Sequence, residues 1–240
     1  MGMPITVEVV DKIKPSDIDK VFDYFRSVDD RFSTYKKDSE ISKVNRGLAE
    51  KDWSGEMKEV MRLCDLTKEQ TNGYFDIEHE GKIDPSGLVK GWAIYNAANL
   101  LRDMGLKNYY IEAGGDIEVS GLNQSGQPWT VGIRNPFNTA EIVKAVILHD
   151  QGMATSGNYI RGEHIYNPKD ENDKDGELRS LSVIGPNVYE ADRYVTAAFA
   201  MGKKGIYFIE SLEGFEGYMI DNNKTATLTT RFGDYVATTA

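Results

Sequence analysis

The stretch from Asn108 to Gly121, NYYIEAGGDIEVSG, decides the fold class. Alternating side chains on both sides of Gly114 and Gly115 read as strand, tight turn, strand, and strands joined by so short a turn must run antiparallel. The segments TVGIRN (130–135), KAVILHD (144–150), GMATSGNYI (152–160) and LSVIG (181–185) continue that pattern, and YMID (218–221) with TATLTT (225–230) predicts a last hairpin.

Helical spacing lies on either side of these strands. Upstream, Ser86 to Met104 carries Ala93, Ile94, Ala97, Ala98 and Leu101 on one side and ends before Gly105. Ser54 to Thr71 is closed by Asn72-Gly73, a short helix begins at Asp38 or Ser39, and Ser16 caps a helix with Ile18, Val21, Phe22, Phe25 and Val28 on its inner side. A strand over Ile5 to Val10 precedes it, the stretch GYFDIEHEGKIDPSG (73–87) reads as a loop, and further helices are predicted from Glu190 to Met201 and from Gly205 to Leu212. Helices and strands follow no βαβ rhythm, so the class is α+β, a mixed and mostly antiparallel sheet with packed helices in a single domain over 1–240. The charged stretch KDENDKDGE (169–177) is a surface loop rather than a linker.

Composition narrows the function. A formal net charge of −10 argues against nucleic acid as a partner, because phosphate backbones reward a basic surface. The single cysteine, Cys64, excludes an internal disulfide and a cysteine-built metal site, and its apolar neighbours at helical spacing predict a core position. No run approaches the ~20 apolar residues of a membrane span, and the opening MGMPITVEVV has no basic and apolar leader. The expected location is the cytoplasm, or the periplasm if the native N-terminus was trimmed, and the expected state is a monomer or weak dimer.

No Walker loop, GxGxxG turn, HExxH or nucleophile elbow is present, and the histidines are only His79, His149 and His164. What remains is the vocabulary of oxygen-ligated metals and phosphate cradles. In ADRYVTAAFAMG, Asp192 and Thr196 stand four apart on a predicted helix and project from one face, a pair that can hold magnesium. On spacing alone the plainer reading, a helix-starting aspartate and a packed threonine, is preferred. In IDPSGLVKG, Ser86 and Gly87 open a helix whose amides favour an anion, with Lys90 one turn in; taken alone, a capped helix with a solvated lysine and a glycine chosen for packing is the preferred reading. GGD at 114–116 reads as a plain turn, Tyr35 as a stacking platform or half-buried surface, with Ser33 and Thr34 beside it as hydrogen-bond donors, and His164 as a proton acceptor or a structural histidine.

Taken in order, STYKKDSEISKVN, GYFDI, IDPSGLVKGWAI, LKNYYIEAGGDIEVSG, MATSGNY, HIYNP and ADRYVTAAFAMG, after MG at the start, resemble the ApbE family of flavin transferases over nearly the whole chain. The resemblance implies an α+β fold with two intimate subdomains flanking a flavin cleft. It implies that FAD is bound by Met1, Ser33, Tyr35, Tyr74, Phe75, Asp76, Asp84, Lys90, Gly115, Thr155, Ser156 and Tyr166. It implies Mg²⁺ on Asp192, Thr196 and the carbonyl of Gly87, and His164, Asp84 and Lys90 as catalytic groups. The implied reaction is magnesium-dependent transfer of FMN from FAD to a threonine or serine hydroxyl of an acceptor flavoprotein domain of a redox complex, releasing AMP. The alternatives are a magnesium-dependent FAD pyrophosphatase and a non-catalytic FAD-binding protein. Two features depart from the family: the interval from Phe75 to Asp84 is short, so one cleft wall is expected to be open or rebuilt, and HIYNP is followed by a charged stretch. DNNKTAT (221–227) has the skeleton of a flavin acceptor site without its glycine, and is read as a hairpin.

Overall fold

The computed structural model describes residues 2–158, 167–169 and 178–237. In chain order its elements are β1 (Ile5–Val9), α1 (Pro15–Phe32), α2 (Glu40–Val44), α3 (Gly55–Gln70), β2 (Glu78–His79), β3 (Lys82–Ile83), α4 (Ser86–Asp103), β4 (Tyr109–Ala113) and β5 (Asp116–Ser120). They continue with β6 (Trp129–Asn135), β7 (Asn138–Leu148), β8 (Gly152–Gly157), β9 (Leu178–Gly185), α5 (Val188–Ala200), α6 (Gly205–Glu210), β10 (Glu216–Asp221) and β11 (Ala226–Leu228). Seven strands form one sheet in the order β1-β4-β5-β8-β9-β10-β11, with every neighbouring pair antiparallel. The expected α+β class is the observed one.

The hairpin at 108–121 forms as its spacing predicts. Ala113 pairs with Asp116, so the loop is the two residues Gly114 and Gly115, with φ of 61° and 95°. Both angles lie in the left-handed region that a two-residue hairpin demands and that glycine adopts at little cost.

Apolar spacing places the helices on the sheet. Val21, Phe25, Val28 and Phe32 bury one face of α1, and Met57, Val60, Met61 and Cys64 one face of α3. The Ser54 side chain accepts from the Met57 amide and starts α3, and Ser39 does the same for α2 through Ser42. Ser16 does not cap α1. Pro15 opens that helix, because its fixed φ and missing N–H suit the first helical position, and Lys14 precedes it without a side-chain cap. Helix α5 begins at Val188 rather than Glu190, because Asn187 accepts from the Glu190 amide and starts it two residues early.

Helix α4 is central. Leu88, Val89, Gly91, Trp92, Ala93, Ile94, Ala97, Ala98 and Leu101 are all buried, in a core shared with α1, α3, β1 and β4. A second core lies between α5, α6 and the strands β8 to β10. On the opposite face of the sheet, Trp129, Val131, Ile133, Val146 and Leu148 of the β6–β7 ribbon cover Ile117, Val119, Met153 and Ile184. The expected strand at 144–150 belongs to the longer β7, which stops before His149 and Asp150.

The stretch 73–87 is not all loop. Glu78 and His79 pair with Ile83 and Lys82 in a small hairpin, turned by Glu80 and Gly81 at positive φ. Asn45, just past α2, fixes it: its side chain donates to the Ile83 carbonyl at 2.9 Å and accepts from the Ile83 amide at 2.8 Å. The interval between Phe75 and Asp84 is thus occupied by a hairpin whose residues line the cleft. Among the described residues no helix is long and apolar enough to cross a membrane.

Candidate functional site

A cleft of about 1380 Å³ separates the helical side of the molecule from the β4–β5 turn, the β6–β7 ribbon and β8. Its volume exceeds the ~300–1,000 Å³ common for small-molecule pockets. Tyr35, Tyr74, Phe75, Asp76, Asp84, Gly87 and Lys90 line one side and the floor; Gly115, Thr155, Ser156, Asp192 and Thr196 complete it. Ser33 does not line it. It ends α1, with its amide donating to the Asp29 carbonyl, and Thr34 reaches the cleft in its place. Met1, His164 and Tyr166 lie outside the described residues.

The floor is made where α4 crosses α5. A Cβ on Gly91 would lie 2.6 Å from Asp192 Cβ and 2.8 Å from the Val188 carbonyl oxygen, so only glycine permits this approach. The closeness lets the Gly91 amide donate to Asp192 Oδ2 at 2.7 Å across 101 residues of sequence. One turn earlier, Thr196 Oγ1 donates to the Gly87 carbonyl at 3.2 Å, and a Cβ on Gly87 would meet Thr196 Cγ2 at 3.1 Å. A carboxylate, a hydroxyl and a main-chain carbonyl are thereby collected by two helices. Asp192 neither caps nor starts α5; its side chain is buried in the helix crossing.

Lys90 Nζ lies 2.7 Å from Asp116 Oδ2 and 3.7 Å from Asp192 Oδ1. It is therefore no solvated lysine. Asp116 is wholly buried; its Oδ1 accepts from the Thr155 amide at 3.1 Å, and Thr155 Oγ1 shares a 2.8 Å hydrogen bond with Ser182 Oγ. Burial pushes the Asp192 carboxyl well above the usual range; Lys90 opposes that shift, and the nearby Asp116 adds to it. Two buried carboxyls sharing one ammonium cannot both stay ionised without further positive charge, and a cation taking the place of the Asp192 proton would supply it.

Two residues beyond Asp116 on the same face of β5, Glu118 Oε2 accepts from the Val188 amide at 2.7 Å, at the first residue of α5. Its Oε1 takes Arg102 at 3.0 Å. Burial raises the Glu118 carboxyl to about 7, against the opposing pull of the Val188 amide and Arg102. Neither Asp116 nor Glu118 was singled out from the sequence, where the GGD motif was the available signal.

The start of α4 offers less to an anion than its sequence suggests. The Ser86 amide already donates to Asp84 Oδ1 at 3.0 Å, and those of Leu88 and Val89 to the Pro85 carbonyl. Lys90 carries most of the positive charge there. At the rim, Tyr35 is 97% exposed, and Lys169 Nζ stands 4.5 Å above the Tyr74 ring.

Among the described residues no group of three or more His, Cys, Asp or Glu could hold a metal ion. The set Gly87 O, Asp192 and Thr196 is of another kind, all hard oxygen with a single carboxylate, which suits magnesium completed by substrate phosphate oxygens and water. The residues present fit such an ion.

Known proteins bear on this geometry. A family model described as the ApbE family matches residues 1–81 and 78–219. The FAD:protein FMN transferase of Vibrio cholerae is 27% identical over 252 residues, covering 80% of this chain and 75% of that protein. The proteins of the same name from Haemophilus influenzae and Escherichia coli K12 are 32% and 30% identical over 58% of this chain, and the matched part spans 43% and 42% of their lengths. In fold, the chain superposes on the flavin transferase ApbE from Vibrio cholerae with a TM-score of 0.85, at 21% identity over 98% of this chain and 96% of that one. The ApbE protein of Thermotoga maritima gives 0.84, at 20% identity and the same coverage.

Proposed function

The chain belongs to the ApbE family, and from that premise we propose that it is an FAD:protein FMN transferase, which moves FMN from FAD to a serine or threonine hydroxyl of an acceptor protein. The observation that carries the reading is the floor of the cleft, where Lys90, Asp192, Thr196 and the Gly87 carbonyl meet beneath a space large enough for a dinucleotide.

Gly87 O, Asp192 and Thr196 would hold Mg²⁺, which when bound neutralises diphosphate charge and makes AMP a better leaving group. Lys90 donates to the phosphoryl oxygens as charge develops on them. Tyr35 and Tyr74 offer rings to the flavin or adenine at the rim, and the Thr155–Ser156 strand and Gly115 lie along the opposite wall. The acceptor oxygen bonds to the FMN phosphorus, the phosphoanhydride bond to AMP breaks, and the hydroxyl proton passes to His164 or Asp84. No side chain of this protein becomes covalently attached.

The test mixes the protein with FAD, Mg²⁺ and a flavinylatable acceptor domain. It follows AMP by chromatography and flavin fluorescence in the denatured acceptor band. AMP release matched by labelled acceptor is expected. Equal FMN and AMP production with and without acceptor would identify a pyrophosphatase instead, and intact FAD after prolonged incubation would identify a carrier.

A further inference from the structure

We propose that Asp116 is a positioning residue that holds Lys90 away from Asp192, so that a divalent cation and the lysine can occupy the same floor together. The inference rests on the reading of Asp192 as a cation ligand given above.

Lys90 carries one positive charge and faces two carboxylates. It sits 1.0 Å nearer to Asp116 Oδ2 (2.7 Å) than to Asp192 Oδ1 (3.7 Å). The preference is built in, because Asp116 has no other posture available. Its backbone is fixed by the Gly114–Gly115 turn, its Oδ1 is held by the Thr155 amide, and it is wholly buried.

Asp192 is held as well. Its Oδ2 accepts from Gly91, which leaves Oδ1 as the oxygen turned toward Lys90. A lysine is a flexible point charge. Without the Asp116 charge, the carboxylate oxygen that stays within ion-pair reach of Lys90 among the described residues is Asp192 Oδ1 at 3.7 Å, the atom a cation needs. Lys90 would then be a built-in competitor of the metal. With Asp116 in place the ammonium is engaged 2.7 Å away on β5, Asp192 Oδ1 is left to a cation that would replace any proton there, and Lys90 remains at the cleft floor.

The experiment measures binding of Mn²⁺ alone, by the paramagnetic resonance of the free ion with Mg²⁺ competition, in the full chain without FAD. The proteins are the wild type, Asp116→Asn, Lys90→Met and the double variant. Groups that orient metal ligands typically change metal affinity 10- to 100-fold when lost. Asp116→Asn should weaken Mn²⁺ about tenfold in line with that range. Lys90→Met should bind at least as tightly as the wild type, and the double variant should return to nearly wild-type affinity. A double variant as weak as Asp116→Asn, an Asp116→Asn protein unchanged in affinity, or a weakened Lys90→Met would each overturn the proposal. The last serves if Asp116→Asn does not fold. Wild-type protein that binds no Mn²⁺ would overturn the cation reading itself, a result distinct from intact binding that ignores Asp116.

Discussion

The floor and the rim of the cleft are built by opposite means. At the floor, each polar group finds its partner in a distant part of the chain: Asp192 bonds Gly91 across 101 residues, Thr196 bonds Gly87 across 109, and Asp116 joins β5 to α4 and β8. At the rim, the carboxylates serve chiefly nearby chain, Asp76 accepting from the Glu78 amide and pairing with Lys68 of α3 at 2.8 Å, and Asp84 accepting from the Ser86 amide. Tyr35 stands in solvent on a loop tied down by the Lys36 ion pairs with Asp29 and Asp30. The floor is thus a product of packing, fixed before any ligand arrives, whereas the rim is a set of local turns that present side chains. Substitutions at the floor should damage chemistry and fold together; those of the rim aromatics should change affinity alone.

The largest expected effect tests the floor directly. Asp192→Ala removes the only carboxylate of the proposed cation set and leaves Lys90 with Asp116. Initial rates of acceptor labelling should fall at least ~100-fold, in the range seen when a transition-state charge partner is lost. Rates within a few-fold of wild type would remove Asp192 from the chemistry and with it the contrast between the two regions.

Gly91→Ala asks how tight the helix crossing is. Alanine would gain about 1 kcal/mol of helix propensity over glycine in an open helix. Here the new methyl meets Asp192 Cβ and the Val188 carbonyl inside van der Waals distance, and neither is the loose end of a flexible chain. Overpacking of that kind costs ~1–3 kcal/mol or more and should win. A net loss of up to about 2 kcal/mol in denaturant unfolding is expected from these terms. A gain in stability would mean that α4 and α5 can separate freely.

This division also decides what the sequence could tell. Helix spacing and the caps at Ser39 and Ser54 are local properties, and they form where the residues place them. The GG hairpin is legible for the same reason: two glycines between alternating strands leave the backbone one economical path. The floor is different. Asp192, Thr196, Gly87 and Lys90 were legible as residue types that suit a metal and a phosphate, and only the order of motifs joined them. The segment DIEVS shows the harder failure. Acid alternating with apolar residues ordinarily marks a strand with one wet face, yet Asp116 and Glu118 lie under α4 and α5 while Ile117 and Val119 lie under the β6–β7 ribbon. Both faces are covered, and a local pattern cannot report a covering made by helices and strands elsewhere in the chain.

Glu118 makes that covered acid face measurable. Its folded carboxyl is raised to about 7 from an ordinary 4.5, so between those values the folded protein binds more protons than the unfolded chain. Stability from this group is complete below about 4.5 and is lost as pH rises through 7. Asp192, also raised, acts with the same sign. Unfolding free energy should therefore fall from pH 5 to pH 8. Glu118→Gln keeps an acceptor for the Val188 amide and cannot ionise, so it should flatten the fall by ~1–2 kcal/mol. Identical slopes in the two proteins would show that Glu118 does not hold the start of α5 as a buried acid.

The smallest effect is expected at the rim. Tyr35 is almost fully exposed, so its removal gives up no packing and should leave the thermal midpoint where it is. What it can lose is a ring for the flavin or purine, a contact worth about 0.5–1.5 kcal/mol. Tyr35→Ala should therefore raise the KM for FAD roughly threefold to tenfold at an unchanged kcat, and Tyr35→Phe should restore it. A fall in kcat at unchanged KM would place Tyr35 with the floor, acting on the reacting phosphate rather than on the ring it stacks against. The two regions would then no longer divide binding from chemistry.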